Sequence, residues 1–183
     1  DKDTSGVMVA AKTEMAHQAL SEDFAARRID RTYLAFCWGL PNPAEGDFEG
    51  AIGRDKRDRK RMALTPKGGK WALTHYRTLQ AFGTGAALVA CKLATGRTHQ
   101  IRVHFSANGH PLIGDPLYLR RIPAASRVMP SAARAAALDF PRQALHAARL
   151  GFIHPRTGEK LLFETPMPED MQALERSLKA DQE

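Results

Sequence analysis

The chain has 183 residues, of which 43% are hydrophobic, and this suits one globular domain with an apolar core. No hydrophobic run approaches the roughly 20 residues that a membrane-spanning helix needs, and no signal-peptide pattern is present, so we expect a cytoplasmic protein without a membrane segment. The formal net charge of +7 favours a polyanionic partner such as nucleic acid. Cys37 and Cys91 lie in hydrophobic runs without metal-ligand spacing, which predicts two reduced core residues.

The first third of the chain predicts two strands and a helix. Residues 7–12 form a short hydrophobic run typical of a buried strand. An amphipathic helix is expected over 14–28, with Thr13 as its N-cap because a threonine hydroxyl can accept a hydrogen bond from a free backbone N–H. Residues 32–39 are rich in aromatic and hydrophobic side chains and predict a second strand, which the two prolines of residues 40–43 end in a turn.

The middle of the chain predicts a hairpin followed by a helix. Residues 72–80 and 86–94 have strand patterns, and the two glycines of residues 83–85 suit the tight turn between them. Thr98 is a candidate N-cap for a helix that runs through residue 107 and ends at the Asn-Gly-His-Pro sequence that follows.

The remaining segments complete an α+β pattern. An alanine-rich stretch over 131–138 predicts a short helix, residues 149–154 and 160–164 predict a second hairpin, and residues 169–179 predict a surface helix. Because strands occur in adjacent pairs with helices at irregular intervals, we expect a mixed, mainly antiparallel sheet with flanking helices.

Residues 1–6, Asp-Lys-Asp-Thr-Ser-Gly, are the first candidate site. A carboxylate directly before a buried strand can be held rigidly and can face a cleft, yet the same sequence also suits an Asx turn. Asp3 is interpreted as a turn residue. An aspartic-protease triplet is not present, because Ser5 separates Thr4 from Gly6.

Residues 95–104, Thr-Gly-Arg-Thr-His-Gln-Ile-Arg-Val-His, are the second candidate site. Gly96 permits a tight entry to the predicted helix, and the free N–H groups of a helix start can bind an anion. His99 and Arg102 are three residues apart and share one helix face, although a solvated amphipathic helix would look the same. His99 and His104 are five apart, which does not fit the spacing of a helical zinc site.

A basic run over 53–61 is the third candidate site, with six cations against two anions. Such a run is either solvated surface or a set of phosphate contacts. Its cations are Arg54, Lys56, Arg57, Arg59, Lys60 and Arg61. A further candidate is Tyr33, which could stack on an extruded base or lie in the core as strand tyrosines commonly do.

Together, these segments resemble the RluA family of pseudouridine synthases in matching order and over nearly the whole chain. The resemblance makes Asp1 the counterpart of the catalytic aspartate and Tyr33 the counterpart of the active-site tyrosine. It implies that Arg102 pairs with Asp1 and orients its carboxylate. The further residues that we expect to contact RNA, in addition to the basic run, are Arg31, Arg97, His99 and Gln100.

The resemblance implies a pseudouridine synthase fold and an enzyme that isomerises uridine in structured RNA without a cofactor or metal. Residues 1–183 are expected to form the catalytic domain, with the first part of that domain and any S4-like RNA-binding domain outside this sequence. Residues 142–147 resemble members that act on large-subunit (23S) ribosomal RNA, which is the leading substrate expectation. Transfer RNA, dual specificity and a non-catalytic RNA-binding module are the alternatives, and a monomer is expected.

Overall fold

The computed structural model describes residues 1–180, which form one mixed sheet with helices on both faces. The strands are β1 (Ser5–Gly6), β2 (Asp30–Trp38), β3 (Glu45–Arg54), β4 (Met62–Leu64), β5 (Lys70–Phe82), β6 (Ala86–Leu93), β7 (Leu145–Ile153) and β8 (Lys160–Glu164). The α-helices are α1 (Glu14–Ala25), α2 (Gln100–Ala107), α3 (Ser131–Leu138) and α4 (Glu169–Lys179), with a 3-10 helix at Ala124–Val128.

The sheet runs in the order β1-β7-β2-β6-β5-β3-β4, and β8 adds to β7. All neighbouring pairs within the described residues are antiparallel except β1 and β7, where Ser5 pairs in parallel with His146. The predicted α+β fold with a mixed, mainly antiparallel sheet and flanking helices is therefore confirmed. The parallel pair holds the start of the chain against β7, at one edge of the sheet.

The alternation of side chains along β2 divides the core between the two faces of the sheet. Phe36 and Trp38 belong to the cluster that includes residues of α3 and α4. Ala35 and Cys37 belong to a second cluster, to which α2 contributes Ile101 and Phe105 among others. Helix α2 is thus fixed to the sheet by its hydrophobic face, and its Arg102 lies beside the start of the chain.

Several predicted bounds hold, whereas the strand predicted over 7–12 is wrong. The strand in this part of the chain is Ser5–Gly6, just before the predicted range. The Val7 N–H still donates to the Ala147 carbonyl at 2.9 Å, and the chain then leaves the sheet. Met8 is 88% exposed, so the run is not buried throughout. Thr13 does cap α1, because its Oγ1 accepts a hydrogen bond from the Ala16 N–H at 3.2 Å.

The end of α1 and the start of α2 both differ from the prediction. Helix α1 ends at Ala25 instead of residue 28, because Arg27 adopts a left-handed backbone with φ of 60°. Helix α2 begins at Gln100 rather than behind a Thr98 cap, since His99 occupies the cap position with φ of 57° and makes no side-chain cap hydrogen bond. Strands β3 and β4, which carry the basic run between them, were not predicted.

Phe105 provides a test of the core beneath α2. It is fully buried and makes edge contacts with Phe48 and Tyr76, at ring-centroid distances of 5.1 and 5.9 Å. Phe105→Ala should lower the free energy of unfolding by about 3–5 kcal/mol, because it leaves a cavity as well as losing buried surface. Urea denaturation measures this, with Phe163→Ala on β8 as the matched control; Phe163 is 47% exposed and should cost much less. Equal losses would contradict this account of the core.

Candidate active site

A cavity of about 200 Å³ lies where the first residues of the chain meet β2, β7 and the start of α2. Four of the predicted site residues line it: Asp1, Tyr33, Arg97 and His99. Their side chains can take part in acid–base, stacking or ionic interactions. Residues that are almost 100 positions apart in the sequence are therefore brought to one concave surface. Leu145 and Ala147 of β7 complete part of its wall.

Asp1 faces two nitrogen donors, one for each carboxylate oxygen. Its Oδ2 lies 3.7 Å from Nη1 of Arg102, and its Oδ1 lies 3.9 Å from Nε2 of His99. The Asp1 side chain is 20% exposed, so it can be reached from the cavity. The proximity of Arg102 to Asp1 agrees with the expectation from sequence, although both distances exceed those of a direct hydrogen bond.

The closest partner of Arg102 is Asp115, which sequence reasoning did not identify as a site residue. The Arg102 Nε and Nη2 groups donate to the two Asp115 oxygens at 2.7 and 2.9 Å, and both side chains are almost fully buried. Asp115 Oδ1 also accepts the backbone N–H groups of Leu117 and Tyr118 at 2.9 and 3.0 Å. The two-point contact fixes the plane of the guanidinium and leaves Nη1 directed towards Asp1.

The segment that carries Asp1 is anchored by side chains that precede β7. Gln143 donates to the Lys2 carbonyl at 2.6 Å and to the Thr4 hydroxyl at 3.0 Å. Arg142 donates from Nη1 to the Asp3 carbonyl at 3.0 Å. Asp3 has a left-handed backbone with φ of 68°, which agrees with its interpretation as a turn residue.

Two further side chains, Asp170 and His146, support the start of the chain. Asp170 of α4 accepts two hydrogen bonds from Arg142, at 2.7 and 2.9 Å, and these bonds lower the pKa of Asp170. His146 Nδ1 lies 2.9 Å from the Ser5 hydroxyl, and its Nε2 lies 3.1 Å from the Thr165 carbonyl. The start of the chain is therefore positioned by polar groups of β7 and α4.

His99 is held on its other side by Tyr118. The His99 Nδ1 lies 2.8 Å from the Tyr118 hydroxyl, which also accepts the Met62 N–H at 2.9 Å. Burial, followed by the positive charge of Arg102, lowers the pKa of His99 to about 4. At neutral pH the imidazole is consequently uncharged.

Tyr33 and Arg31 are neighbours on β2 with different surroundings. Tyr33 lines the cavity, and burial raises the pKa of its hydroxyl. The Arg31 guanidinium lies 5.1 Å from the centre of the Phe24 ring and against Gly96, where an added Cβ atom would require the guanidinium to shift. Gly96 thus provides space for Arg31, and it has no left-handed backbone of the kind that a tight entry would need.

Gln100 does not fit its predicted role as an RNA contact. Its Oε1 accepts hydrogen bonds from the Thr95 hydroxyl and the Arg97 N–H, at 2.7 and 3.0 Å. Its Nε2 donates to the Leu73 carbonyl and the Thr74 hydroxyl, both at 2.9 Å. With two donor and two acceptor positions used inside the protein, the buried amide joins α2 to β5. Arg97 beside it is half-buried, and its Nε donates to the Trp71 carbonyl at 2.9 Å.

The basic run forms the end of β3 and the turn that leads to β4, which we name the basic hairpin (residues 53–64). Its two aspartates build the turn, since Asp55 accepts the Arg57 N–H at 2.8 Å and Asp58 accepts the Lys60 N–H at 3.0 Å. Five of its cations are exposed: Arg54, Lys56, Arg57, Arg59 and Lys60.

Arg61 differs from the other cations of the basic hairpin. Its side chain is 11% exposed and its guanidinium lies 5.0 Å from the centre of the Tyr118 ring. This position stabilises the base of the hairpin and leaves little of Arg61 for a phosphate contact, contrary to the prediction.

Sequence reasoning missed the residues that support the site rather than line it. They are Asp115, Tyr118, Arg142, Gln143, His146 and Asp170. Arg142, Gln143 and His146 lie within the segment 142–147 that carries part of the family resemblance. The side-chain partners of the supporting residues are 13 to 141 residues away in sequence, so a local pattern could not predict these hydrogen bonds. Among residues 1–180 there is no group of three His, Cys, Asp or Glu side chains that could hold a metal ion. None of the helices in this range has the length and hydrophobicity that a membrane-spanning helix needs.

Comparison with known proteins identifies the family to which the chain belongs. The RNA pseudouridylate synthase family model matches residues 1–107. Over 179 residues the chain is 46% identical to ribosomal large subunit pseudouridine synthase D of Zymomonas mobilis, covering 97% of this chain and 54% of that protein. It is 45% identical over 179 residues to the uncharacterized RNA pseudouridine synthase YlyB of Bacillus subtilis, covering 98% of this chain and 54% of that protein.

A solved structure with the same fold is that of human RNA pseudouridylate synthase domain containing 4. The TM-score is 0.76 at 25% identity, over 98% of this chain and 73% of that one. The chain therefore belongs to the RluA family of RNA pseudouridine synthases, and the resemblance found in its motifs is confirmed. It spans about half the length of the curated relatives that it matches.

The free energy of unfolding should depend on pH through two histidines, His99 at the cap of α2 and His104 within it. Burial lowers the pKa of His104, as it does that of His99, to about 4, whereas an unfolded histidine titrates near 6.5. The unfolded chain thus binds protons first as pH falls, and the contribution present above pH 6.5 should be lost progressively between pH 6.5 and 4. Urea denaturation across this range should show a shallower loss for His104→Gln than for the parent. Parallel curves would contradict the assignment for His104.

Proposed function

We propose that this chain is the catalytic domain of an RNA pseudouridine synthase that isomerises uridine in structured RNA, with large-subunit (23S) ribosomal RNA as its substrate. The observation that carries the proposal is the Asp1 carboxylate, which faces a cavity and has a separate donor near each of its oxygens. The relatives named ribosomal large subunit pseudouridine synthase D support the choice of RNA. The enzyme is proposed to act as a monomer in the cytoplasm.

The proposed reaction breaks the C1′–N1 bond of uridine, turns the base and joins C1′ to C5. The C5 proton passes to solvent, and N1 takes up a proton from solvent, so the product is an isomer of uridine. Asp1 acts in its ionised form, either as the nucleophile at C1′ or as the base that removes the C2′ proton. Arg102 orients the carboxylate and favours its charged form in either case. Because Asp115 fixes Arg102 at two points, little reorganisation is needed when charge moves at Asp1.

Tyr33 is proposed to stack on the extruded uracil. Its ring lines the same cavity as Asp1, and its raised pKa keeps the hydroxyl protonated at neutral pH. A protonated hydroxyl cannot take a proton from C5 unless it first gives up its own, so stacking is the role that its surroundings favour. Base–aromatic stacking is a common means of holding a base outside a helix.

The basic hairpin is proposed to contact RNA phosphates on either side of the target uridine. Extruding a base costs a few kcal/mol, and phosphate contacts from the five exposed cations would offset this cost. Arg97, which lines the cavity, and Arg31, which lies behind Gly96, would add positive potential closer to the reacting base. His99, being uncharged, would act as a hydrogen-bond donor rather than as a cation.

Asp1→Asn should abolish isomerisation and leave RNA binding nearly unchanged, because the amide keeps the shape but cannot act as nucleophile or base. The measurement is the release of tritium to water from folded 23S ribosomal RNA labelled at uridine C5, with labelled transfer RNA transcripts in parallel. The protein should be the full-length gene product that contains these residues. Asp3→Asn is the matched control, since Asp3 is an exposed turn residue, and it should release tritium at the parent rate.

The outcomes separate three interpretations. Release from ribosomal RNA by the parent and by Asp3→Asn, but not by Asp1→Asn, would establish the enzyme and its substrate class. Release only from transfer RNA would correct the substrate. Tight binding to RNA with no release from either RNA would instead support a non-catalytic RNA-binding module.

Lys56→Gln/Arg57→Gln should weaken RNA binding and reduce its salt dependence, because each lost phosphate contact removes one released counterion. The slope of log affinity against log salt should fall by about 0.7–0.9 per contact. Arg127→Gln/Arg134→Gln is a matched control, because it removes the same charge from exposed positions on the 3-10 helix and α3. Equal changes in the two variants, measured by filter binding from 50 to 300 mM salt, would show that the basic hairpin has no special role.

A further inference from the structure

Tyr118 lies between the basic hairpin and Asp1, and no motif assigned it a role. Its side chain is buried, and its hydroxyl is within hydrogen-bond distance of two groups, the Met62 N–H at 2.9 Å and His99 Nδ1 at 2.8 Å. Met62 is the first residue of β4, directly after the basic hairpin turn. The hydroxyl therefore connects a backbone group of the hairpin to the imidazole beside Asp1.

The proton count at this hydroxyl fixes the state of His99. The Met62 N–H can only donate, so the Tyr118 oxygen accepts that bond and its own proton remains available. Within residues 1–180, the one acceptor in reach for that proton is His99 Nδ1, which must then carry no hydrogen. Since a neutral imidazole has one N–H, the hydrogen lies on Nε2.

The opposite tautomer would be unfavourable at both nitrogens. An N–H on Nδ1 would leave the buried Tyr118 hydroxyl proton without an acceptor, which is costly in an apolar environment. It would also turn the lone pair of Nε2 towards Oδ1 of Asp1, 3.9 Å away. Two hydrogen-bond acceptors would then face one another at the reacting carboxylate, with no proton between them.

We propose that Tyr118 is a positioning residue that holds His99 in its Nε2–H tautomer, so that His99 presents an N–H bond to Asp1. This inference rests on the proposed function of Asp1. Arg102 faces Oδ2 and His99 faces Oδ1, so a nitrogen donor approaches the Asp1 carboxylate from each of two directions. Hydrogen bonds in active sites are often long without substrate and shorten when it binds.

The same buried carboxylate supports both donors to Asp1. Asp115 binds the Arg102 guanidinium and also accepts the backbone N–H of Tyr118 at 3.0 Å. The Tyr118 ring in turn lies 5.0 Å from the Arg102 guanidinium and meets the His99 ring edge-on, at a centroid distance of 5.7 Å. A shift of Tyr118 would thus reach Asp1 through His99 and through Arg102.

Histidine NMR of ¹⁵N-labelled protein tests the tautomer without any need for activity. In the parent at pH 7, long-range ¹H–¹⁵N correlations should show His99 Nε2 protonated and Nδ1 not. In Tyr118→Phe, which removes only the hydroxyl, the two His99 tautomers should become mixed. Tyr76→Phe is the matched control: this buried tyrosine donates to the Pro43 carbonyl at 3.0 Å, and its loss should leave His99 unchanged.

Tritium release then tests the consequence for catalysis. Tyr118→Phe should lower kcat about tenfold, the effect of one well-placed hydrogen bond, while KM for RNA stays the same. Adding Tyr118→Phe to His99→Ala should cause no further loss, because Tyr118 acts through His99. Tyr76→Phe should retain the parent kcat.

Three results would overturn the proposal: a parent His99 protonated on Nδ1, a kcat unchanged by Tyr118→Phe, or a full additional loss when the two variants are combined. Failure of the proposed function itself looks different. The parent would then release no tritium, while the NMR measurement would still decide the His99 tautomer.

Discussion

The buried ion pair between Arg102 and Asp115 is the interaction on which the geometry around Asp1 depends. Burying two charges carries a large desolvation cost, which good geometry and additional hydrogen bonds can offset. Asp115 has both: two bonds from Arg102 and two from backbone N–H groups. The pair is thus better understood as a means of orientation than as a source of stability. Its removal on one side would leave a buried charge unpaired, so the site and the local fold would be affected together.

Asp1 itself is positioned by a separate set of contacts, and the site exists where the two sets meet. Gln143 and Arg142 bind the backbone carbonyls of Lys2 and Asp3, while the parallel pairing of β1 with β7 fixes the direction of the chain after Thr4. One set is built on α2 and the segment after it, the other on α4, β7 and the segment before β7. The Ala144 N–H donates to the Ile113 carbonyl at 2.9 Å and so joins the two. A carboxylate held from two sides requires little rearrangement when substrate binds.

The parts of the fold that depend on local pattern were predictable, and those that depend on distant partners were not. Helix α3 and strand β8 have the predicted bounds, since their hydrophobic spacing and flanking turns are sufficient. Strand β3 contains three glycines and several charged residues, so its strand structure comes from pairing with β5 rather than from propensity. Likewise, Gln100 belongs to a motif that predicts RNA contact, yet its four hydrogen bonds lie inside the protein.

The inward cation of the basic hairpin links the proposed RNA-contact surface to the proposed catalytic site. Arg61 and Arg102 lie at the same distance, 5.0 Å, from the centre of the Tyr118 ring, one reaching it from the hairpin and the other from the site. Met62, the next residue of the hairpin, bonds to the hydroxyl of that ring. A phosphate bound by the exposed cations would therefore restrain the same element that orients His99. Binding energy gained on RNA outside the cavity can in this way be used to order the groups around Asp1.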